Sequence, residues 1–343
     1  MNTPAPTKAS RDAHANDEVP QQEVVRRFIA AGILIPVLIT VVAVAWQLVL
    51  MRSLPDQIAV HWGADGQPNR FGPAWVMVVV TGFGALVVPV LISLGALRGL
   101  RAGERGRSYR FLGAMACWVS MFTAATATGS MLIQRSSDAA GSWSIGFTIG
   151  AALLLGIAAG VLGWFVQPHT AHVPGPTLPE PNLGVAPNER LVWMRETSLA
   201  TSWALLLVGV TLLVIALSVA QILAGDSGGR ALVIVPIVLL LLVAATTAFH
   251  VRVNEQGLTV RSVFGVPRFR VPLEDIASVE ARIIRPLGDF GGVGIRTRPG
   301  RLGIVLHTGE AIVLTRTDGR EFVVTVPDAA AGAATLNALR KRS

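Results

Sequence analysis

The 343-residue chain has one cysteine, one tyrosine and two lysines, and charged side chains make up 15% of it. The single cysteine, Cys117, excludes an intramolecular disulfide, and its position inside an apolar run gives it the character of a small hydrophobe. No H-E-x-x-H occurs, which removes the commonest signature of an intramembrane metalloprotease. Gly291-Gly292-Val293-Gly294 does not continue as G-x-G-x-x-G and no Lys-Ser/Thr follows it, so it reads as a turn and not as a phosphate cradle. The long apolar runs hold almost no ionisable side chains, whereas ion-coupled transporters and proton pumps place such groups along their paths. Nor do the runs contain a Ser/His, Cys/His or paired-acid arrangement, so no catalytic residue, cofactor or metal is expected.

What is present is apolar and blocked. Hydrophobic residues are 52% of the chain, and they fall into six runs at roughly 28–51, 74–97, 111–133, 145–166, 201–223 and 231–249. About 20 such residues form a helix that crosses roughly 30 Å of hydrocarbon with every backbone polar group satisfied internally. The predicted fold class is therefore an α-helical polytopic membrane protein with six transmembrane helices, followed by a small β-rich domain.

Orientation follows from arginine. Arg26 and Arg27 precede the first run, and Arg98, Arg101, Arg105, Arg107 and Arg110 fill the second connection. The first, third and fifth connections hold only Arg52 and Arg70, Arg135, and Arg230. The positive-inside rule then puts the N-terminus in the cytoplasm, and six crossings return the C-terminus there. The expected location is a bacterial inner, or plasma, membrane. The formal charge of +8 needs no nucleic-acid partner, because arginines flanking helices already have a topological role.

The organisation predicted along the chain is a disordered cytoplasmic tail (1–25), a four-helix membrane region (26–166), a Pro-rich cytoplasmic linker (167–200), a two-helix membrane hairpin (201–249) and a cytoplasmic domain (250–343). The first apolar run is too long for a signal peptide and reads as a retained helix. Gly156 and Gly160 form G-x-x-x-G in the fourth run, and Ala124, Ala125, Ala127 and Gly129 crowd the third, as close helix packing within the bundle or between protomers requires.

The loop between the first two runs reads Leu54-Pro55-Asp56-Gln57-Ile58-Ala59-Val60-His61-Trp62-Gly63-Ala64-Asp65-Gly66-Gln67-Pro68-Asn69-Arg70-Phe71-Gly72. Leu-Pro-Asp breaks the helix, Gln57 to Trp62 suits an extended stretch, and Ala-Asp-Gly-Gln-Pro is turn chemistry. The order Leu-Pro, Ile-x-Val-His-Trp, Gly-x-x-Gly and Arg-Phe-Gly resembles the domain of unknown function DUF1648 of SdpI-type bacterial membrane proteins, over about 35–85. The family's SdpI-type members include an immunity protein that protects against a secreted peptide toxin. His61, Trp62, Asp65 and Arg70 are the candidate ligand-binding residues, for an extracytoplasmic peptide or small ligand. The competing reading makes Trp62 a headgroup anchor and His61 a hydrogen-bonding partner within the turn.

In the linker, His169 and His172 form H-x-x-H without a third ligand, too little for a metal site. Asn188-Glu189-Arg190-Leu191-Val192-Trp193 resembles the segment that precedes helices in bacterial membrane proteins with pleckstrin-homology-like domains. Beyond the sixth run, strands are predicted at Val251–Val253, Leu258–Val260, Phe269–Val271, Gly303–His307, Ala311–Thr315 and Phe322–Val326, with a hairpin turn at Thr317-Asp318-Gly319-Arg320. A terminal helix follows Asp328 as its N-cap acid and ends in Arg340-Lys341-Arg342. This order, with Asn254-Glu255-Gln256-Gly257-Leu258 and Val271-Pro272-Leu273-Glu274-Asp275-Ile276, resembles a bacterial pleckstrin-homology-like domain, a barrel or sandwich plus terminal helix. Arg296, Arg298 and Arg301 are the candidate contacts to anionic lipid, or else form a solvated basic loop. The function expected is non-enzymatic ligand binding or regulation, with a cytoplasmic protein partner and the bilayer itself; the alternative is a transporter or permease component.

Overall fold

The computed structural model describes residues 19–63, 65–135, 142–181, 190–223 and 234–342. The first 18 residues of the predicted tail, Asn188 and Glu189, Arg230 and the start of the sixth run lie outside them. The described residues fall into two units divided between Val173 and Pro174.

The first unit is four helices with a hairpin: α1 Gln21–Met51, β1 Ile58–Trp62, β2 Pro68–Gly72, α2 Trp75–Arg101, α3 Arg107–Leu132 and α4 Ser142–Val166. All four helices are long and apolar enough to cross a membrane. Helix α1 begins at Gln21, inside the stretch read as tail, because Pro20 starts the turn and Glu23 pairs with Arg26 and Arg27 at 2.7 and 2.5 Å. The bundle is inverted relative to a soluble core. Leu38, Trp46, Leu154 and Phe165 face outward, while Thr40, Gln47, Thr81, Ser93 and Ser120 are buried.

Prolines shape α1 and α2 in the same way. A π-helical stretch, Ala30–Leu34, ends two residues before Pro36, and another, Gly82–Val87, ends two residues before Pro89. Proline has no N–H to give the ladder and its ring crowds the preceding turn, so the helix widens there instead of breaking. Neighbouring side chains meet the carbonyls concerned: Cys117 donates its thiol to Ala31 O at 3.0 Å, and Ser120 its hydroxyl to Ala85 O at 2.5 Å.

The G-x-x-x-G motif is used within the chain. A Cβ on Gly156 or Gly160 would stand 3.2 Å from Trp118, and one on Gly163 would stand 2.8 Å from Cys117 Sγ, so α4 lies close along α3. At one end of the bundle Gln21 donates to Leu100 O, Arg105 donates to Gln21 Oε1 and Arg110 donates to Trp164 O, which gathers the arginine-rich segments together. The β1–β2 hairpin lies at the other end.

The second unit contains β3 Trp193–Ser198, α5 Thr201–Leu223, α6 Ile234–Thr246, β4 Ala248–Asn254, β5 Gly257–Ser262, β6 Arg268–Val271, β7 Ile276–Ile284, β8 Gly294–Arg298, β9 Arg301–Val305, β10 Gly309–Arg316, β11 Glu321–Thr325 and α7 Ala329–Arg340. One sheet has the order β3-β4-β5-β6, all antiparallel; the other runs β7-β10-β11-β9-β8, with β11 and β9 parallel. The two sheets and α7 enclose one core that includes Trp193, Phe249, Val260, Ile304, Leu314 and Leu336. Each such side chain contributes about 1.5–3 kcal/mol by leaving water.

Four readings are corrected here. The sheets form two open layers and do not close into a barrel, since β6 and β8 are edges with no strand between them. The sixth run does not stay helical to residue 249: α6 ends at Thr246, and Phe249 is fully buried in β4. Among the described residues four helices are long and apolar enough to cross a membrane, and α5 and α6 are two further apolar helices. Third, the Pro-rich segment is not wholly linker. Its Trp193–Ser198 is a paired strand, and Leu178 donates to Ala281 O at 2.8 Å along the edge of β7. Finally, Asp328 does not cap α7; it sits at φ 59° and pairs with Arg195 at 2.8 Å, while Glu310 accepts the Ala329 N–H at 2.9 Å.

Helices α5 and α6 are an insertion between two hydrogen-bonded neighbours. Ser198 at the end of β3 pairs with Ala248 at the start of β4, and Leu199 N donates to Thr247 O at 2.7 Å. The two helices pack on each other and leave Leu205, Leu212, Ile237, Leu241 and Leu242 exposed.

Candidate functional site

The hairpin of the first unit is built on the helices beneath it. Ile58 is buried against Leu50, Ala74, Met77 and Met131, which holds the base of β1 in an apolar seat, and Ala59 beside it is buried too. Gln134, just past α3, treats Ala59 as a paired strand residue. Its Oε1 accepts the Ala59 N–H at 2.5 Å, and its Nε2 donates to Ala59 O at 3.1 Å and to Ser130 O at 2.8 Å. The outward backbone groups of Ala59, which would otherwise need water, are thereby satisfied by one side chain.

The tip carries the predicted residues. His61 pairs with Arg70 in register, and His61 Nδ1 lies 2.6 Å from Asn69 Oδ1, so the imidazole is oriented across the hairpin. Trp62 is half-buried opposite Pro68. Asp65 accepts the Gln67 N–H at 3.0 Å, and Gly66 takes φ 77°, a left-handed turn that favours glycine. Asp65 therefore shapes the turn, while His61, Trp62 and Arg70 lie together on the strands. Phe71 and Trp75 are exposed beside them. This arrangement puts an imidazole, an indole and a guanidinium on one hairpin.

In the second unit the predicted arginines separate. Arg301 is bound inward: its Nε lies 2.5 Å from Glu321 Oε2 and its guanidinium 5.2 Å from the Phe290 ring centre. Arg296 donates to Val293 O at 2.9 Å, closing the glycine turn, and both Arg296 and Arg298 are exposed on β8.

A stronger basic surface lies on the outer face of the four-stranded sheet. Strand β4 buries Phe249, Val251 and Val253 and exposes His250 and Arg252; β5 exposes Arg261, and β6 exposes Arg268 and Arg270. A recess of about 540 Å³ on this face is lined by Arg252, Arg261, Arg268, His250 and Glu196, the last two 2.9 Å apart. Arg252, Arg261, Arg268 and Arg270 have no ion-pair partner among the described residues. The period-two patterns Val251-Arg252-Val253 and Phe269-Arg270-Val271 carried this signal in the sequence. What they could not show is that β4, β5 and β6 are neighbours, which puts the arginines side by side.

His169 and His172 lie in irregular backbone after α4, and no group of three or more potential metal ligands occurs among the described residues.

A family model, Domain of unknown function (DUF1648), matches residues 38–92. The match takes in the C-terminal part of α1, the whole hairpin and much of α2, so Pro89 and the Leu50, Ala74 and Met77 part of the seat under Ile58 lie within it, while Met131 does not. The model leaves out Gln134 and everything in the second unit. No curated protein and no solved structure matches the chain.

Proposed function

We propose that this is a multi-pass membrane protein that binds and regulates and does not catalyse, with its hairpin presented outside the cytoplasm to a peptide or small ligand. The observation that carries the reading is the Gln134 clamp on Ala59, which fixes a strand pair bearing His61, Trp62 and Arg70 to the end of the bundle. The collection of Arg26, Arg27, Arg98, Arg101, Arg105, Arg107 and Arg110 at the opposite end supports a cytoplasmic placement of that end in a bacterial plasma membrane.

Under this reading α5 and α6 enter the same bilayer, and both termini are cytoplasmic. The sheet unit then faces the cytoplasm, where its basic face meets a protein partner or anionic lipid, with Arg296 and Arg298 as additional lipid contacts. Its element order, two sheets closed at one side by a terminal helix, supports kinship with pleckstrin-homology-like domains, and the hairpin sequence supports kinship with SdpI-type proteins.

The test is affinity capture from gently solubilised membranes. The intact protein is compared with His61→Ala/Trp62→Ala and with Arg252→Glu/Arg268→Glu. A peptide or protein lost only from the first variant establishes binding at the hairpin, and one lost only from the second places a partner on the sheet. Equal recovery from all three sinks the proposal.

Transport is the second reading, favoured by one feature. Gln47 donates to Thr81 at 2.7 Å and to Thr128 at 3.0 Å, and its Oε1 is buried without a partner, so three helices share a polar cluster at membrane depth. Flux in reconstituted vesicles that is lost in Gln47→Leu would establish it.

A further inference from the structure

The turn between β5 and β6 is Val263-Phe264-Gly265-Val266-Pro267, and it is apolar where a hairpin turn is ordinarily polar. Val263, Phe264 and Val266 are 52%, 70% and 75% exposed. Nothing in the second unit covers them among the described residues.

The position of the turn says what does. Ser262 pairs with Phe249 at the start of β4, and the chain continues past the sheet toward the helices: Val263 N donates to Ala248 O at 3.2 Å, and Ser262 Oγ donates to Ala245 O of α6 at 2.8 Å. The turn is itself ordered, with Gly265 N donating to Ser262 O at 2.8 Å and Ser262 N to Pro267 O at 3.0 Å. Its apolar tip therefore projects beside the last turn of α6, a helix whose own Ile237, Leu241 and Leu242 are exposed.

Charge on the adjacent sheet complements this. Arg261 and Arg268 pair with each other in register on the row next to the turn, with His250 beside Arg261. Arg252, Thr259 and Arg270 form the next row, roughly 7 Å further from the helices. The Arg261 guanidinium packs over Gly265, where a Cβ would meet its nitrogen at 3.0 Å. Apolar side chains leading and arginines immediately behind is the order of chemistry met when crossing from acyl chains to anionic headgroups.

We propose that Val263, Phe264 and Val266 insert into the headgroup and acyl-chain boundary of the bilayer that holds α5 and α6, with Arg261 and Arg268 against anionic headgroups. The inference rests on reading α5 and α6 as bilayer-inserted. It adds a third point of attachment that fixes the roll of the sheet about the α5–α6 stalk and sets the basic face against the lipid surface.

The full-length protein in vesicles of mixed phosphatidylcholine and phosphatidylglycerol carries one thiol-reactive fluorophore, at Phe264→Cys, Leu241→Cys or Glu255→Cys. Cys117 is fully buried and stays in place. Quenching is read with lipids spin-labelled near the headgroup or deep in the acyl chain. The expected result is Phe264 quenched mainly by the shallow label, at the depth of about 5–10 Å that interfacial apolar groups reach, Leu241 by the deep label, and Glu255 by neither. With Arg261→Glu/Arg268→Glu, the Phe264 signal falls toward that of Glu255. If Leu241 is quenched and Phe264 is not, insertion of the turn is overturned and the anchor stands. If Leu241 too is unquenched, the anchor falls and takes this proposal with it. Unchanged Phe264 quenching in the charge-reversed variant removes the arginines from the proposal.

Discussion

Ser120 on α3 donates its hydroxyl to the carbonyl of Ala85 at 2.5 Å, four residues before Pro89, whose missing N–H would have served that carbonyl in an α-helical ladder. One turn earlier on the same face, Cys117 donates to Ala31 O at 3.0 Å, five residues before Pro36, the spacing of a π-helical ladder. A single stripe of α3 thus closes the backbone of both widened helices. In hydrocarbon no water can do this, so the side chains are required and not merely compatible.

Ser120→Ala should lower the stability of the helix bundle by about 0.6–1.7 kcal/mol, the range for interhelical hydrogen bonds in membranes. Unfolding in mixed detergent micelles measures it. A change indistinguishable from that of an outward-facing control, such as Leu154→Ala, would show that Ala85 finds another donor.

Replacing Gln134 by Leu removes both bonds to Ala59 while keeping an apolar stem. Local opening of residues 58–72 should become easier by about 1–3 kcal/mol, seen as faster amide exchange there and as new tryptic cleavage after Arg70. Exchange in α2 should be unaffected, which separates loss of the clamp from global unfolding.

Helix α4 offers a paired test of packing. A Cβ at Gly160 would stand 3.2 Å from Trp118 and 3.4 Å from the Ala114 carbonyl, whereas Gly146 has nothing within 4 Å. Gly160→Val should destabilise by about 1–3 kcal/mol through overpacking. Gly146→Ala should be neutral or slightly stabilising, since alanine is the better helix former. Thermal aggregation in detergent ranks the two.

At the start of α7, Glu310→Ala should cost about 0.5–2 kcal/mol, as loss of a helix cap does. Asp328→Gly should cost little, because it gives up a half-exposed ion pair worth about 0–1 kcal/mol while relieving the left-handed backbone at φ 59°. Amide exchange over Ala329–Arg340 reports both. A larger effect at Asp328 than at Glu310 would restore the aspartate as the cap.

Several elements were legible before any coordinates. The apolar runs became α1 to α4 because a run of that length without charges has few other stable conformations. The strands near Val251, Leu258, Phe269, Gly303, Ala311 and Phe322 follow from period-two alternation, and the β10–β11 turn from Asp318-Gly319, where Gly319 takes φ 81°. Strands β2, β3, β7 and β8 were missed. Trp193–Ser198 alternates weakly, and its partner β4 lies beyond an insertion of two helices, so no local window contains the pair. Of the candidate site, His61, Trp62 and Arg70 stood out through the pattern that resembles DUF1648. Gln134 was not, because a glutamine at a helix end carries no signal until the strand it meets is known.

What the sequence determined by itself is the separation into apolar helices and an alternating β region, the arginine asymmetry along the chain and the turn between β1 and β2. These depend on composition and period over about ten to twenty residues, the range in which backbone geometry and burial act locally. The tertiary structure alone decided that Trp193 joins the sheet, that Arg301 is paired while Arg252, Arg261 and Arg268 share a face, and that Val263, Phe264 and Val266 emerge beside α6. Each of these depends on which distant segments become neighbours, and that is set by the packing of the whole core, in which no single segment can bury its own apolar face.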